Sequence, residues 1–288
     1  MEKLLPDQLK ELWQVVAEEK LTPEAFALEQ ERLLSGYRKM WRDALCLKPY
    51  ADLQESLLTE LGTYVGCDDP AEIESRCHGA LAALKEEWRS KVVACDAPSV
   101  EKYYAESQSV IYELMWWHTL ADDISPLAYV TALHFARRHG CRRYLDFGAG
   151  VGSGGLLFAK EGLDVTLADI SSPLQDFCKW RFGRRGWSAD FIDLKTDNLP
   201  AGAFDLVTAM DVFEHLVDPV ETAERLWQAL VPGGFLFTRL AAEEDEDRPQ
   251  HIVLDFDPVI DGLKALGFVQ VWQDEWLWGH KVFQKPGQ

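Results

Sequence analysis

The sequence YLDFGAGVGSG occupies residues 144–154 and joins a short apolar stretch to a run of glycines. The apolar residues predict a buried strand, and the glycines predict a tight turn into a helix that begins near Gly152. Glycines at this spacing let a ligand touch the backbone, and the first turn of the helix offers N–H groups without intrahelical partners. The segment therefore predicts a nucleotide-binding loop.

Two classes of nucleotide fit these glycines. A dinucleotide fingerprint, G-x-G-x-x-G, can be placed on Gly150, Gly152 and Gly155, and it would put a pyrophosphate at the helix N-terminus. Asp146 opposes that interpretation, because its carboxylate would face two negative charges at short range. A cationic ligand is favoured at the same place.

Motif I of the class I S-adenosylmethionine-dependent methyltransferases has the pattern Asp-x-Gly-x-Gly-x-Gly, and this sequence resembles it at Asp146, Gly148, Gly150 and Gly152. The resemblance continues in the family's order and spacing to about residue 285. The segment 204–216 resembles the fourth-strand motif of the ubiquinone-biosynthesis-like small-molecule methyltransferases, including its Glu-His pair. The resemblance implies S-adenosylmethionine as the cofactor and S-adenosylhomocysteine as its product.

The resemblance places the cofactor site at the ends of four strands. It implies that Asp169 binds both ribose hydroxyls and that Asp193 contacts the adenine amino group, although Asp190 and Asp197 are near enough in sequence to take the latter role. The residues that it implies for cofactor binding are Asp146, Gly148, Ala149, Gly150, Gly152, Asp169, Ile170, Asp193, Leu194, Met210 and Asp211.

Strands and helices alternate from residue 143 onward, which predicts right-handed crossovers and a parallel sheet. The resemblance implies an α/β, Rossmann-like, doubly wound fold with seven strands, one of them antiparallel, and a hairpin at the end. Residues 1–98 predict helices alone, including one over about 23–44 and one that stops at Gly62. We expect a helical N-terminal domain over residues 1–98, either a lid or a dimerisation surface, and a methyltransferase domain over residues 99–288.

Composition disfavours several functions. A formal net charge of -19 disfavours nucleic acid as a partner. No apolar run approaches membrane-spanning length and the N-terminus has no apolar signal region, so we expect a soluble, cytoplasmic protein without a membrane partner. Six cysteines without a C-x-x-C pair predict buried free thiols, with neither disulfides nor a metal site. We expect a small-molecule substrate, and the helical domain is a potential homodimer interface.

Aromatic residues are concentrated just before the first strand, over residues 103–118. In the resembling family this position often lines the acceptor pocket, and the alternative is an ordinary apolar core. With Trp276 and Trp278 of the final hairpin, these aromatics predict a flat, apolar pocket for a small aromatic or hydrophobic metabolite. The residues that we expect around the substrate are Tyr103, Tyr104, Trp117, Glu214 and Arg239, while His118 can equally belong to the core.

The implied chemistry is an in-line displacement at the methyl carbon. Positioning can supply about 7 to 11 kcal/mol of it, against about 3 to 5 from a general base. His215 and His251 are the candidate catalytic residues, and Arg239 can pair either a substrate carboxylate or the neighbouring acids. Two other functions stay open: a methyltransferase for a peptide or carrier-bound substrate, and a non-catalytic S-adenosylmethionine-binding protein. The acidic run 243–247 is either a solvated loop or a rim that disfavours anionic substrates.

Overall fold

The structure is a computed structural model that describes residues 3–18, 20–93, 96–121, 124–242 and 244–287. Cys95 and Glu243, which belong to the predicted free thiols and to the acidic run, lie outside these residues. The described cysteines are free thiols, as predicted. Cys77, Cys141 and Cys178 are buried, and Cys46 and Cys67 are half-buried.

Helices alone make up the described chain before the first strand. They are α1 (Gln8–Ala17), α2 (Pro23–Leu45), α3 (Leu53–Val65), α4 (Pro70–His78), α5 (Ala80–Lys91), α6 (Ala97–Glu106), α7 (Val110–Glu113), a π-helical segment (Leu114–Ala121) and α8 (Ile124–Arg138). The helical character predicted for residues 1–98 is confirmed where the chain is described, and the division at residue 98 stays a prediction. No helix among the described residues is both long and apolar enough to span a membrane.

The sequence predicted that helix α3 stops at Gly62, and this prediction is wrong. The helix continues to Val65 and ends at Gly66, whose φ of 72° closes the helix in the left-handed region. Gly62 serves packing instead, because a Cβ there would lie 2.6 Å from the carbonyl oxygen of Cys67. The chain therefore folds back tightly over a glycine inside the helix.

A seven-stranded sheet follows, in the order β3-β2-β1-β4-β5-β7-β6. Its strands are β1 (Arg143–Phe147), β2 (Asp164–Asp169), β3 (Asp190–Asp193), β4 (Phe204–Ala209), β5 (Leu230–Arg239), β6 (Val269–Gln273) and β7 (His280–Gln284), and its helices are α9 (Ser153–Lys160), α10 (Ser172–Arg185), α11 (Pro219–Ala229) and α12 (Asp257–Ala265). Only β7 runs antiparallel to its neighbours, β5 and β6. The predicted fold is confirmed.

Consecutive residues of the central strands face opposite sides of the sheet and belong to different apolar clusters. Tyr144 and Leu206 lie in one cluster, whereas Leu145 and Val207 lie in the other. The first cluster also contains Trp41 and other buried residues of the N-terminal helices. The second is completed by α11 and α12. The N-terminal helices thus share a core with one face of the sheet.

Candidate cofactor and acceptor site

The loop between β1 and α9 needs glycine for both conformation and space. Gly148 and Gly150 have φ values of 68° and 55°, which side chains rarely adopt. A Cβ on Gly148 would lie 2.6 Å from Val212, and one on Gly150 would lie 2.9 Å from Leu114. The loop is therefore enclosed by the turn after β4 on one side and by the π-helical segment on the other.

Asp169 ends β2 beside this loop. One carboxylate oxygen accepts a hydrogen bond from the Gly150 N–H at 2.9 Å, and the other accepts from the Ser171 N–H at 2.8 Å. Burial raises the pKa of Asp169 to about 6, although these hydrogen bonds oppose the shift. Asp169 thus shapes the glycine loop, and each of its oxygens keeps acceptor capacity for a ligand.

Three acids follow on or near β3. Asp193 lies directly beside Asp169 in the parallel pairing, and its side chain accepts from the Lys195 N–H at 3.0 Å. Asp190 and Asp197 are exposed. The wall of the cavity is formed by Leu194 and not by the Asp193 carboxylate. The adenine contact of Asp193 stays a prediction.

Asp146, at the end of β1, is fully buried. Its Oδ1 accepts from the Thr208 hydroxyl at 2.9 Å and from the Tyr129 hydroxyl at 3.3 Å. Burial raises its pKa to about 7, against these hydrogen bonds. The geometry ties Asp146 to the packing of β1, β4 and α8, so its predicted contact with the cofactor remains a prediction.

One cavity of about 670 Å³ runs from the glycine loop to the helices α6 and α7. The predicted site residues that line it are Tyr103, Tyr104, Gly148, Ala149, Gly150, Asp169, Ile170, Leu194, Met210, Asp211 and His215. The predicted site residues outside its wall are Trp117, Asp146, Gly152, Asp193, Glu214, Arg239 and His251. Gly152 instead packs over Cys178, whose Sγ would lie 2.8 Å from a Cβ at that position.

An ionic network borders the cavity at Asp211. This residue has a φ of 51°, which is unusual for a residue other than glycine. Its carboxylate pairs with Arg239 at 2.5 Å and lies 3.8 Å from His118, which in turn lies 3.2 Å from Glu113. Burial alone would raise the pKa of Asp211, but the charges of Arg239 and His118 lower it to about 2. Of the two partners considered for Arg239, the structure shows the neighbouring acid.

His118 lines the cavity as a charged residue and not as part of an apolar core. Burial opposes its positive charge, yet the Glu113 carboxylate raises the pKa of His118 to about 9. Sequence patterns gave no sign of this pair, because Glu113 and His118 come together only through the π-helical turn.

His215 meets two groups from distant segments. Its Nδ1 lies 3.0 Å from the Gln250 carbonyl and 3.0 Å from the Tyr104 hydroxyl, which donates to the same carbonyl at 3.1 Å. Because a carbonyl oxygen only accepts, the first contact assigns the proton to Nδ1 and leaves a lone pair on Nε2. Burial and the nearby His251 lower the pKa of His215 to about 4. The imidazole is therefore neutral at physiological pH.

Glu214, His215 and His251 together offer three ligand atoms that lie within 4.8 Å of one another. Glu214 is 1% exposed, and burial together with the Asp211 charge raises its pKa to about 8. One carboxylate and two imidazoles suit a divalent transition metal or zinc. Reasoning from cysteine spacing missed this cluster; a Glu-His pair followed by a further histidine was its only sequence signal.

The tryptophans expected near the acceptor lie elsewhere. Trp276 stacks on Trp13 at 4.4 Å between ring centroids, and Trp116 packs edge-on against His78 at 4.4 Å. Trp278 lies under the Arg239 guanidinium. The aromatic part of the cavity wall consists of Tyr103, Tyr104, Tyr129, Trp41 and Phe147, with charged and polar neighbours.

The strand order with an antiparallel β7, the glycine loop after β1 and the acid after β2 define a Rossmann-like fold of the class I type that binds a nucleoside ligand. Residues 145–236 match a family model described as a methyltransferase domain. This chain carries a class I S-adenosylmethionine-dependent methyltransferase domain, with distant similarity to ubiquinone biosynthesis O-methyltransferases.

The similarity to individual proteins is partial. A ubiquinone biosynthesis O-methyltransferase from Aromatoleum aromaticum is 30% identical over 130 residues, which cover 42% of this chain and 55% of that protein. Its counterpart from Escherichia coli is 31% identical over 132 residues, covering 42% and 54%. The N-methyltransferase NodS from Bradyrhizobium japonicum, solved with S-adenosylhomocysteine, is 21% identical with a TM-score of 0.49, over 62% of this chain and 97% of NodS. The chain spans about half the length of the curated relatives that it matches.

The residues of the site fit S-adenosylmethionine. Two glycines bring bare backbone to the cavity, and the Asp169 carboxylate beside them can accept hydrogen bonds from ribose hydroxyls. Asp211 lies in the same wall, and its charge is compensated there by Arg239 and His118. A volume of about 670 Å³ lies within the usual range for small-molecule sites, about 300 to 1,000 Å³.

Proposed function

We propose that this protein transfers a methyl group from S-adenosylmethionine to a small-molecule acceptor. The observation that carries the proposal is the single cavity that joins the glycine loop and Asp169 to Tyr104 and His215. A cofactor and an acceptor held in one cavity can be aligned for direct transfer without a covalent enzyme intermediate.

When bound, S-adenosylmethionine supplies an electrophilic methyl group on a sulfonium centre. The glycine loop and Asp169 hold and orient the nucleoside, and the π-helical segment over Gly150 excludes water from it. Tyr104 and His215 form the wall on the acceptor side. Alignment by these groups provides most of the rate enhancement, about 7 to 11 kcal/mol, so a base is needed only for an acceptor that must lose a proton.

His215 is the proposed base for such an acceptor. It is neutral, and its Nε2 has a lone pair because Nδ1 donates to the Gln250 carbonyl. General-base catalysis of this kind contributes about 10²- to 10⁴-fold. Since Tyr104 binds the same carbonyl, α6 and the loop after β5 together fix the orientation of the imidazole.

A second mode of activation is supported by the cluster of Glu214, His215 and His251. These residues would hold a divalent cation, and such a cation would lower the pKa of a hydroxyl acceptor. The buried Glu214 carboxyl group, one oxygen of which makes no hydrogen bond, supports this mode because a bound cation would lower its raised pKa and favour the ionised form that binds metals.

The acceptor that we propose is a small metabolite with an aromatic or hydrophobic body and polar groups. The tyrosines of the wall supply flat contact area, and Glu113, His118 and Arg248 supply charge. A net charge of -19 disfavours nucleic acid as the acceptor. A peptide or carrier-bound acceptor that docks on the helical region and a non-catalytic S-adenosylmethionine-binding role are the alternatives.

Two measurements test the proposal. Calorimetry with S-adenosylhomocysteine and with NADH should show binding of the first and none of the second. A screen of small phenols, amines, thiols and carboxylates should then reveal release of S-adenosylhomocysteine. Turnover confined to a protein acceptor would contradict the small-molecule class, and NADH binding alone would contradict the methyltransferase function.

A further inference from the structure

A fully buried ionic cluster connects the N-terminal helices to α10. Glu60 of α3 and Arg181 of α10 are both 0% exposed. The Arg181 Nε and one terminal nitrogen donate to Glu60 Oε2 at 3.2 and 3.0 Å, and Arg185 pairs with the same carboxylate. Because a lone guanidinium in such a place would bear a large desolvation cost, Glu60 is required to hold Arg181 in this position.

The remaining nitrogen of Arg181 reaches the cofactor loop. It donates to the Val151 carbonyl at 2.7 Å and to the Ser153 hydroxyl at 3.1 Å. Val151 and Ser153 both line the cavity. A guanidinium held by Glu60 on one side therefore fixes the backbone of the glycine loop on the other.

The same contact sets the direction of a hydroxyl chain. Since Arg181 can only donate, the Ser153 oxygen accepts from it, and the Ser153 proton is directed to the Thr119 hydroxyl at 3.1 Å. Thr119 in turn donates to the Leu114 carbonyl at 2.7 Å. Leu114 is the residue that covers Gly150. This series of hydrogen bonds thus ends on the π-helical segment that closes the loop.

Arg185 differs from Arg181 in one respect that matters for a test. It also binds Glu60, but its other contacts go to the carbonyls of Arg181 and Leu45, and no bond of Arg185 to the loop exists among the described residues. Substituting Arg185 therefore disturbs the ionic cluster without removing a hydrogen bond to the loop, whereas a change at Arg181 would affect both.

We propose that Glu60 is a positioning residue for the cofactor loop, so that a helix outside the methyltransferase motifs determines the affinity for S-adenosylmethionine. Glu60 touches neither the loop nor the cavity itself. It acts through Arg181, which sets the loop backbone and the closure of the π-helical segment over it. The proposal rests on cofactor binding by the glycine loop, which the proposed function also requires.

The test compares Glu60→Gln with Arg185→Met in the full-length protein. S-adenosylhomocysteine is titrated by calorimetry at a temperature well below both melting temperatures. Both substitutions lower Tm, since each disturbs a buried ionic cluster. We expect Glu60→Gln to weaken binding about tenfold or more, and Arg185→Met to change it less than about threefold. Equal weakening by both, or unchanged binding in Glu60→Gln, overturns the proposal.

A second variant covers a failure of Glu60→Gln to fold. Glu60→Asp keeps the charge but withdraws the carboxylate by one methylene, so it should fold and bind with intermediate affinity; wild-type affinity with a lowered Tm would again overturn the proposal. Failure of the wild-type protein to bind S-adenosylhomocysteine would instead contradict the proposed function. The two ideas can therefore fail separately.

Discussion

Replacing Asp169 with asparagine should weaken S-adenosylhomocysteine binding by about 1.5 to 3 kcal/mol, or roughly 10- to 150-fold. The variant loses the charge that strengthens hydrogen bonds from ribose hydroxyls. In the wild type, the backbone N–H groups of Gly150 and Ser171 each donate to one Asp169 oxygen. The asparagine amide NH₂ would face one of these donors, and two donors cannot hydrogen-bond to each other. Both effects act on the same ligand contact.

The pH dependence gives a second measure of the same residue. Burial raises the pKa of Asp169 to about 6, and the ionised form is the one that accepts from hydroxyls. Affinity should therefore rise with pH and level off above about 7, with a loss of about tenfold from pH 8 to pH 5. Stability of the free protein responds in the opposite sense. Because the folded pKa exceeds the unfolded value, this residue's contribution to the free energy of unfolding grows as the pH falls from about 6 to about 4.

Calorimetric titrations with S-adenosylhomocysteine between pH 5 and pH 8 check both statements. Asp164→Asn is the matched control, because Asp164 is exposed at the opposite end of the same strand. The Asp169→Asn variant should bind weakly at every pH, without the rise through pH 6. A variant that keeps the wild-type slope, or binds within about threefold of wild type, would refute the assignment of Asp169 to the ribose.

Three further outcomes follow from the buried groups around the site. Asp146→Asn should raise the free energy of unfolding at pH 8 by on the order of 2 kcal/mol, because the pKa of Asp146 is about 7 and the amide can still accept from Thr208. Chemical denaturation at pH 8 and pH 5 checks it, and a less stable variant at pH 8 would contradict it. With a hydroxyl acceptor, His215→Ala should lower kcat about 100-fold and leave calorimetric affinity for S-adenosylhomocysteine unchanged; an unaltered kcat would exclude His215 as a base. If a cation activates the acceptor, a chelator should abolish turnover, added metal should restore it in wild type, and Glu214→Gln should prevent that restoration. Full activity in metal-free protein would exclude this mode.

Local patterns were sufficient for the sheet and the glycine loop. Apolar strands, glycines and the alternation with helices are short-range signals, and right-handed crossovers then leave few possible strand orders. For this reason Asp169 and Asp193 end β2 and β3, β4 begins at Phe204, and Asp169 stands at the cavity as expected. The prediction of a helix end at Gly62 was wrong because this glycine instead allows the Cys67 carbonyl to approach the helix closely. A glycine in the sequence does not by itself distinguish a close approach from a helix end.

Partners that are far apart in sequence could not be predicted. Glu60 and Arg181 are separated by 121 positions, and Tyr104 and His215 by 111. Charged and aromatic residues at helical spacing look the same whether they face solvent, core or cavity, so the sequence left His118 open and placed tryptophans at the acceptor. Burial and pairing distinguish these cases, and both depend on tertiary packing.

The difference between local and long-range signals explains which features of the relatives can be assigned to this chain and which cannot. The matched family segment, residues 145–236, contains the glycine loop, Asp169 and His215. It begins after Tyr104 and His118, and it ends before Gln250 and the acidic loop that precedes it. The match over the cofactor half therefore says little about the acceptor half, whose wall, apart from His215 and its neighbours after β4, comes from the N-terminal helices and the loop after β5. An acceptor for this protein has to be inferred from those segments and not from the substrates of proteins that match only the centre of the chain.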